Sequence, residues 1–366
     1  MIRVILIGAG HAHALLLNAW RPEARPDVEL VVITPQTHAP YSGMIPGWLA
    51  GQYTFEQTVV GFEGLCKRAG ATLIQAELSK LDPDTKTVWL SDGQSLSYDW
   101  LTLNVGSTLH PPPITSPGLH LLAMRPLATL KTRYEAWLAR WRDDQTPAPL
   151  RLTAVGGGAA GVESLLCVLH RLRQIRPDKA VHARLVTRSA SILPALSKPA
   201  QRLALKSLAR ADVTVCVSTD WSEAIANSSD LALWATGAQA HAWQQDPSLR
   251  GTLQTDDAGF IAVDDCLRSL SHPDVFAVGD CAALPQAAPK AGVYAVRMGA
   301  TLTSNLNRVL DGRTLMNFVP QRRALALLNT ADGRAIASWG PFGWQGRWVM
   351  HWKDRIDRGF INRLSC

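Results

Sequence analysis

The residues best placed to do chemistry in this chain are glycines. Gly8-Ala9-Gly10-His11-Ala12-His13 follows the apolar run Val4-Ile5-Leu6-Ile7. Gly156-Gly157-Gly158-Ala159-Ala160-Gly161-Val162-Glu163 follows Leu152-Thr153-Ala154-Val155. A strand, a glycine turn and a helix together make a cradle in which backbone N–H groups and the positive helix end hold a pyrophosphate. One such turn points to one dinucleotide. Two point to two dinucleotides and electrons passing between them. The second turn has Gly156, Gly158 and Gly161 at the spacing needed for a tight turn, close ligand approach and close helix–strand packing. The first departs from it. His13 takes the third glycine position, either packed in the core or turned to the ligand, and Thr34-Pro35-Gln36 stands where an acid for a ribose is expected.

A distant segment supports the first turn. Asp274-Val275-Phe276-Ala277-Val278 is an apolar strand ending at Gly279-Asp280, and Lys290-Ala291-Gly292 then opens a helix. An aspartate at a strand end can accept a ribityl hydroxyl. A helix N-terminus nearby can face the pyrimidine edge of a flavin, where negative charge develops on reduction.

Stepping along the chain, strands are predicted at 2–7, 28–34, 71–76 and 100–105, with a helix at 11–20, a loop at 35–51 and a helix at 55–70. Ser91-Asp92-Gly93-Gln94 marks a hairpin. A helix over 127–141 precedes the second unit, whose strands are 152–155, 181–187, 213–217 and 231–235. Strands at 260–263 and 274–278 and a helix at 292–310 follow. This alternation is that of open α/β sheets. Pro111-Pro112-Pro113 and Arg142 to Pro149 read as linkers.

The chain has 366 residues, 47% hydrophobic and 18% charged, which fits a globular protein with a sizeable core. No apolar run approaches the roughly 20 residues of a membrane helix. Met1-Ile2-Arg3 runs directly into the first strand instead of a signal peptide, so a cytoplasmic location is expected. The six cysteines, at 66, 167, 216, 266, 281 and 366, form neither CxxC nor CxxxxC, which excludes a sequence-local redox disulfide and a zinc knuckle. No metal site is expected. A net charge of +7 suits an anionic partner as well as ordinary solubility. Scattered arginines without a motif argue against nucleic acid.

The pairing GxGxxH … GGGxxGxE … VFAVGDC … PKAGVYAVR resembles the flavoproteins with two dinucleotide-binding domains, relatives of type II NADH dehydrogenases, sulfide:quinone oxidoreductases and disulfide reductases. Leu103-Asn104-Val105-Gly106-Ser107 and Trp234-Ala235-Thr236-Gly237 stand at that family's crossovers. GAGHAHALLL, APYSGMIPGWLAGQY and KAGVYAVRMG resemble a branch sometimes fused in front of a selenide, water dikinase. The likeness covers nearly the whole chain. It implies an α/β fold of two Rossmann-like domains: an FAD domain in two parts, 1–115 and 269–320, an inserted NAD(P)H domain, 116–268, and a C-terminal extension, 321–366.

The resemblance also implies roles. Gly8, Ala9, Gly10, His11 and His13, with Pro40 and Gly106, would hold FAD. Gly279 and Asp280 would bind its ribityl or phosphate region. Lys290, Gly292, Val293 and Tyr294 would stabilise the reduced flavin at its N1/C2=O edge. Gly156, Gly158, Gly161 and Gly237 would seat NADH or NADPH. Arg188 would meet a 2′-phosphate, or stand solvated in a loop. Glu163 would lie near the nicotinamide–flavin contact, or serve as a first-turn carboxylate. Tyr41 would shape the acceptor side. The implied reaction takes hydride from NAD(P)H to flavin N5 and passes electrons to a second acceptor, a quinone. Tyr41 to Pro46 stands where disulfide reductases carry their cysteine pair, so no dithiol step is expected, and Cys167 and Cys281 read as packing residues. The alternatives are a selenium- or sulfur-compound oxidoreductase linked to selenophosphate metabolism, and a flavin redox sensor without turnover.

Arg347 to Leu364 reads as an amphipathic helix, with Trp348, Val349, Trp352, Ile356, Phe360 and Leu364 at spacings of three and four. Five basic residues against Asp354 and Asp357 leave +3. Such a helix suits peripheral contact with the inner face of an anionic membrane. Its alternatives are closing the flavin domain or joining a homodimer.

Overall fold

The hexapeptides IRVILI and LRLTAV become central strands of two parallel sheets because each must be buried on both faces. The computed structural model describes residues 1–112, 116–321 and 323–365. Pro113 of the first linker, residue 115 at the end of the expected first FAD segment, and Cys366 lie outside the described residues. In the first sheet the order is Val275–Ala277, Trp100–Leu103, Ile2–Ile7, Val28–Ile33, Thr72–Ile74. All neighbours are parallel. Val4, Ile5 and Leu6 are fully buried. The edge strand Val275–Ala277 is contributed by the returning chain, so this sheet is built from segments on both sides of the second unit. That second sheet runs His120–Ala123, Leu231–Trp234, Leu150–Val155, Val181–Val186, Val213–Cys216, again all parallel.

Helix His11–Ala19 lies behind the first turn and crosses helix Gly292–Leu310 closely: a Cβ at Gly299 would lie 2.9 Å from Ala12 Cα. The segment read as one helix from 55 to 70 is instead a 3₁₀ turn, Glu56–Thr58, a strand, Val59–Gly61, and a helix, Phe62–Ala69. Two β-branched residues and Gly61 pair with His38–Pro40, and Gly70 at φ +63° ends the helix. The expected loop at 35–51 thus contains a strand, and it also contains helix Ile45–Leu49.

The C-terminal region adds a meander the sequence reading did not anticipate: Ala326–Asn329, Ala335–Trp339 and Phe342–Gly346. Helix Arg347–Leu364 follows with the expected bounds, but its apolar residues divide between two faces. Val349, Phe360 and Leu364 are buried, while Trp348, Trp352 and Ile356 are exposed. Lys353 and Asp357, counted with the polar face, are buried as well. The tail touches both sheet units. Ser197 N–H donates to Ser338 Oγ (3.0 Å) and Gln345 Nε2 to Ser207 Oγ (2.8 Å). On the other side Tyr53 Oη donates to Asp354 (2.5 Å).

His13 is a correction to the expected ligand set. Its side chain is fully buried, with Nδ1 2.7 Å from Gly8 O and Nε2 2.7 Å from Thr102 Oγ1. The carbonyl only accepts, so Nδ1 carries the proton and Nε2 accepts from the threonine. The imidazole ties the turn to the sheet and leaves nothing for a ligand. Burial lowers its pKa to about 4, against the opposing pull of the Gly8 carbonyl. The neutral ring therefore contributes fully above pH 6.5, and that contribution is lost as pH falls towards 4. Urea unfolding of His13→Ala is expected to show a loss of about 2–4 kcal/mol at pH 7.5, from the cavity and two stranded polar groups. The loss should shrink at pH 5; a penalty that is constant with pH would contradict the neutral buried ring.

Candidate active site

The first glycine turn is built around Asn104, at the end of strand Trp100–Leu103. Its Oδ1 accepts from the N–H groups of Ala12 (3.1 Å) and His13 (3.4 Å), and its Nδ2 donates to Val278 O (2.8 Å). Three glycines close on it. A Cβ at Gly8 would lie 2.6 Å from Asn104 O, one at Gly10 1.9 Å from Oδ1, and one at Gly279 2.6 Å from Nδ2. Gly8 and Gly279 also have φ of +96° and +73°. The glycines are required here by the approach of the protein to itself as well as to any ligand. Asn104 stood in a segment noted only for its glycine, and nothing in its spacing marked it.

His11 opens the helix on the ligand side. Its ring meets Tyr41 edge-on at 5.4 Å and lies 5.7 Å from Phe360, which stacks on Tyr41 at 4.5 Å. His11 Nε2 is buried and has no hydrogen-bond partner among the described residues. Burial lowers its pKa to about 4, with Asp280 pulling the other way. Asp280 accepts from Ser107 Oγ (3.3 Å) and is ion-paired with Arg125, which also reaches Lys290 O (3.5 Å). Arg125 comes from the end of the first strand of the second unit and was not foreseen, because only the assembled sheets bring it to Asp280.

Gly279, Asp280, Leu284, Lys290, Tyr294 and Met298 line one cleft. Lys290 departs from its expected role. Its Nζ donates to Ala282 O (2.5 Å) and lies 3.8 Å from the centre of the Phe260 ring, and burial lowers its pKa. The ammonium is thus engaged by a carbonyl and an aromatic ring of the protein itself. At the start of the following helix Gly292 fits against Ser42, Val293 is exposed and Tyr294 is buried. Pro40 and Ala9 are partly buried, and Gly106 has φ +75° with open space at its Cβ position.

In the second turn, Gly156 has φ +121° and a Cβ would lie 2.3 Å from Ala235 O; at Gly161 it would lie 1.9 Å from Gly156 O. Gly158 and Gly237 face open space. Glu163 is the fifth residue of helix Ala159–Ile175, beyond its first turn, so it is not the first-turn carboxylate of the alternative reading; it accepts from the Asn329 N–H of the tail at 2.7 Å. Lys353 donates to Gly43 O (2.5 Å) and Asp357 Oδ2 (2.8 Å). Burial raises Glu163 to about 7, in spite of the opposing Lys353 charge and Asn329 N–H. Burial works against the Lys353 ammonium, but Glu163 and Asp357 outweigh it. Burial and Asp357 push the Tyr41 phenol above its ordinary range. The tail helix therefore delivers a lysine, an aspartate and a phenylalanine to the loop of Tyr41 and to Glu163. Cys167, one turn beyond Glu163, and Cys281 are fully buried with raised thiol pKa values, in keeping with packing roles.

A sequence profile of the pyridine nucleotide-disulphide oxidoreductases matches residues 2–299. The chain belongs to that family. It is an oxidoreductase whose family cofactors are FAD and NAD(P)H. The type II NADH:quinone oxidoreductase of Staphylococcus aureus is 20% identical over 396 residues, covering 99% of this chain and 96% of its own. Ferroptosis suppressor protein 1 of Taeniopygia guttata is 24% identical over 87% of this chain and 84% of its own. For the alternative NAD(P)H-ubiquinone oxidoreductase C1 of Arabidopsis thaliana the identity is 26%, and the match spans 54% of that protein. Among solved structures, NDH2 of Plasmodium falciparum with NADH aligns with a TM-score of 0.82 at 13% identity over 98% and 97% of the two chains. The sulfide:quinone oxidoreductase of Aquifex aeolicus gives 0.80 at 15% identity over 100% and 91%. These likenesses establish the fold.

The residues present fit FAD: a glycine cradle that side chains would fill, an aspartate at a strand end, and the His11 imidazole nitrogen, buried without a hydrogen-bond partner among the described residues. The cysteines at 66, 167, 216, 266 and 281 are all free, so family membership here comes without a described redox disulfide. Asn104→Leu is expected to strip the helix cap and the bond to Val278, costing about 2–4 kcal/mol. The purified variant should lose its yellow cofactor on gel filtration. Retention of FAD in full would show that the turn holds without its asparagine.

Proposed function

We propose that the protein oxidises NAD(P)H and delivers the electrons to a quinone without a redox disulfide. Bound FAD supplies the two-electron carrier between donor and acceptor. What supports the quinone reading is one juxtaposition: His11, Tyr41 and Phe360 form an aromatic wall beside the first turn, and the Glu163–Lys353–Asp357 group reaches the same loop from the second unit and the tail. A flat, apolar acceptor suits such a wall. Reduction of a quinone also consumes protons, and Glu163 is a carboxyl that both holds and releases a proton near neutrality. Lys353 stays charged and anchors the Gly43 carbonyl, which holds the Tyr41 loop in place. Asn329 orients Glu163 through its backbone N–H. The quinone-linked names among the relatives point the same way.

The reading is checked by anaerobic titration of the holoprotein. NADH or NADPH should bleach the flavin, and a short-chain ubiquinone should restore its colour within the dead time of hand mixing. A flavin that stays oxidised with both nucleotides would rule out the donor half. Glu163→Gln is expected to keep FAD but to slow reoxidation by about 10²-fold and to abolish an inflection near pH 7.

The tail supports peripheral membrane contact. Stacked pairs Phe342–Trp344 and Trp348–Trp352, with Ile356, are exposed, and Arg347, Arg355 and Arg363 accompany them. Aromatic and basic side chains of this kind sit at lipid headgroups. No helix among the described residues is long and apolar enough to cross a membrane. Flotation with vesicles containing anionic lipid should carry the protein, and Trp348→Ser with Trp352→Ser should reduce recovery severalfold. Equal flotation of wild type and double variant would place the contact elsewhere.

A further inference from the structure

A second cleft lies between the loop that follows helix Ile45–Leu49 and the tail. Its volume is about 550 Å³, with Gln52 and Tyr53 on one side and Asp332, Met350, His351 and Asp354 on the other. Gln52, Asp332 and His351 are exposed, so the cleft is open to water. Tyr53 Oη donates to Asp354 at 2.5 Å and ties the two sides together. The link from this cleft to the active site is Asn329, which is buried. Its Nδ2 donates to Gln52 Oε1 at 2.7 Å, and its backbone N–H donates to Glu163 Oε1 at 2.7 Å. Ala331 N–H donates to Asn329 Oδ1 at 2.8 Å and orients the amide. One residue therefore stands between the solvent-lined Gln52 and the Glu163 carboxyl.

Reduction of a quinone Q has the balance NAD(P)H + Q + H⁺ → NAD(P)⁺ + QH₂. The hydride supplies both electrons and one proton, and the second proton comes from water. Glu163 can give that proton only if it is reprotonated in every turnover. The charged and titratable groups that act on Glu163 among the described residues are Lys353 and Asp357 of the tail helix and Cys167 of its own helix. Burial opposes the Lys353 charge, but Glu163 and Asp357 hold its proton in place. Asp357 is tied to Lys353 at 2.8 Å. Burial pushes the Cys167 thiol well above its ordinary range, so it keeps its proton as well. We propose that the cleft between Gln52 and the tail is the port through which Glu163 takes its proton from water, with the Gln52–Asn329 hydrogen bond as its gate. The port rests on the proton-donor role of Glu163 under the proposed function and adds its supply route. Amides do not relay protons, so water itself has to enter. The gate is a single neutral hydrogen bond to an exposed side chain, which thermal motion opens readily.

The test follows flavin colour and proton uptake together. Reduced holoprotein is mixed anaerobically with a short-chain ubiquinone in weakly buffered solution containing a pH indicator. Gln52→Leu replaces the polar wall by an apolar one that excludes water. It should leave reduction by NAD(P)H unchanged, slow reoxidation and proton uptake together severalfold, and enlarge the solvent isotope effect. Gln52→Glu, which keeps an acceptor for Asn329, should restore the wild-type rate. Met350→Trp, which narrows the cleft from the tail side, should slow both signals. A second readout needs no turnover. In resting holoprotein with NAD⁺ bound, the infrared band of the Glu163 carboxyl, assigned by its absence in Glu163→Gln, should exchange into D₂O more slowly in Gln52→Leu than in wild type. Equal rates, isotope effects and carboxyl exchange in the two proteins overturn the port and place proton entry on the cofactor side. A wild type whose flavin no quinone reoxidises would instead remove the quinone reading, and carboxyl exchange alone then decides the port. Gln52 is exposed, and matching thermal melts establish that its variants are folded.

Discussion

A single buried asparagine amide holds the site together. Asn104 caps the first helix through Ala12 and His13 and bonds to the carbonyl of Val278, at the end of a strand contributed by the returning chain. Gly8, Gly10 and Gly279 can approach it only because they lack a Cβ. A larger residue at any of these three positions would separate the turn from the sheet. The constraint is mutual: the asparagine needs the glycines for access, and the glycine backbones take their course around it. His13 reinforces the arrangement from below by joining Gly8 to Thr102.

From that junction the two units are tied across their boundary by charge and by the tail. Arg125 leaves the first strand of the second unit and pairs with Asp280 in the first. The tail places Lys353 and Asp357 against Gly43 and gives Asn329 to Glu163. One cation lies among two carboxylates, so burial leaves one acid in excess. Glu163, which has its hydrogen bond from a neutral N–H, is the one whose pKa rises. Its folded-state pKa lies above the ordinary 4.5, so its contribution to stability is present below that value and is lost as pH rises towards 7. A site that accepts electrons and protons together can accommodate that loss in exchange for a carboxyl that titrates near neutrality.

Much of the fold was legible along the chain. The apolar hexapeptides gave both sheets, and the Gly292–Leu310 and Arg347–Leu364 helices have their expected bounds. The misread segments are those where local pattern competes with pairing. Residues 55–70 have helical spacing, yet Val59–Gly61 pairs with His38–Pro40. The tail helix has an apolar stripe by spacing, but the protein covers one half of it and leaves the tryptophans outside. Lys353 and Asp357 looked like solvent-facing charges because burial of an ion pair leaves no mark in a sequence.

The glycine turns, the Gly-Asp strand end and the missing cysteine pair were decided by the sequence alone, because strand–turn–helix cradles depend on residue type at fixed short spacing. Tertiary structure decided what surrounds them. It turned His13 into the core, drew Lys290 to Ala282 and Phe260, and made Asn104, Arg125 and Lys353 members of the site. Most of those assignments depend on contacts between residues far apart in the chain, His13 with Thr102, Asn104 with Val278, Arg125 with Asp280 and Lys353 with Gly43. Only the packed sheets and the docked tail set the distances and the burial that give such residues their partners.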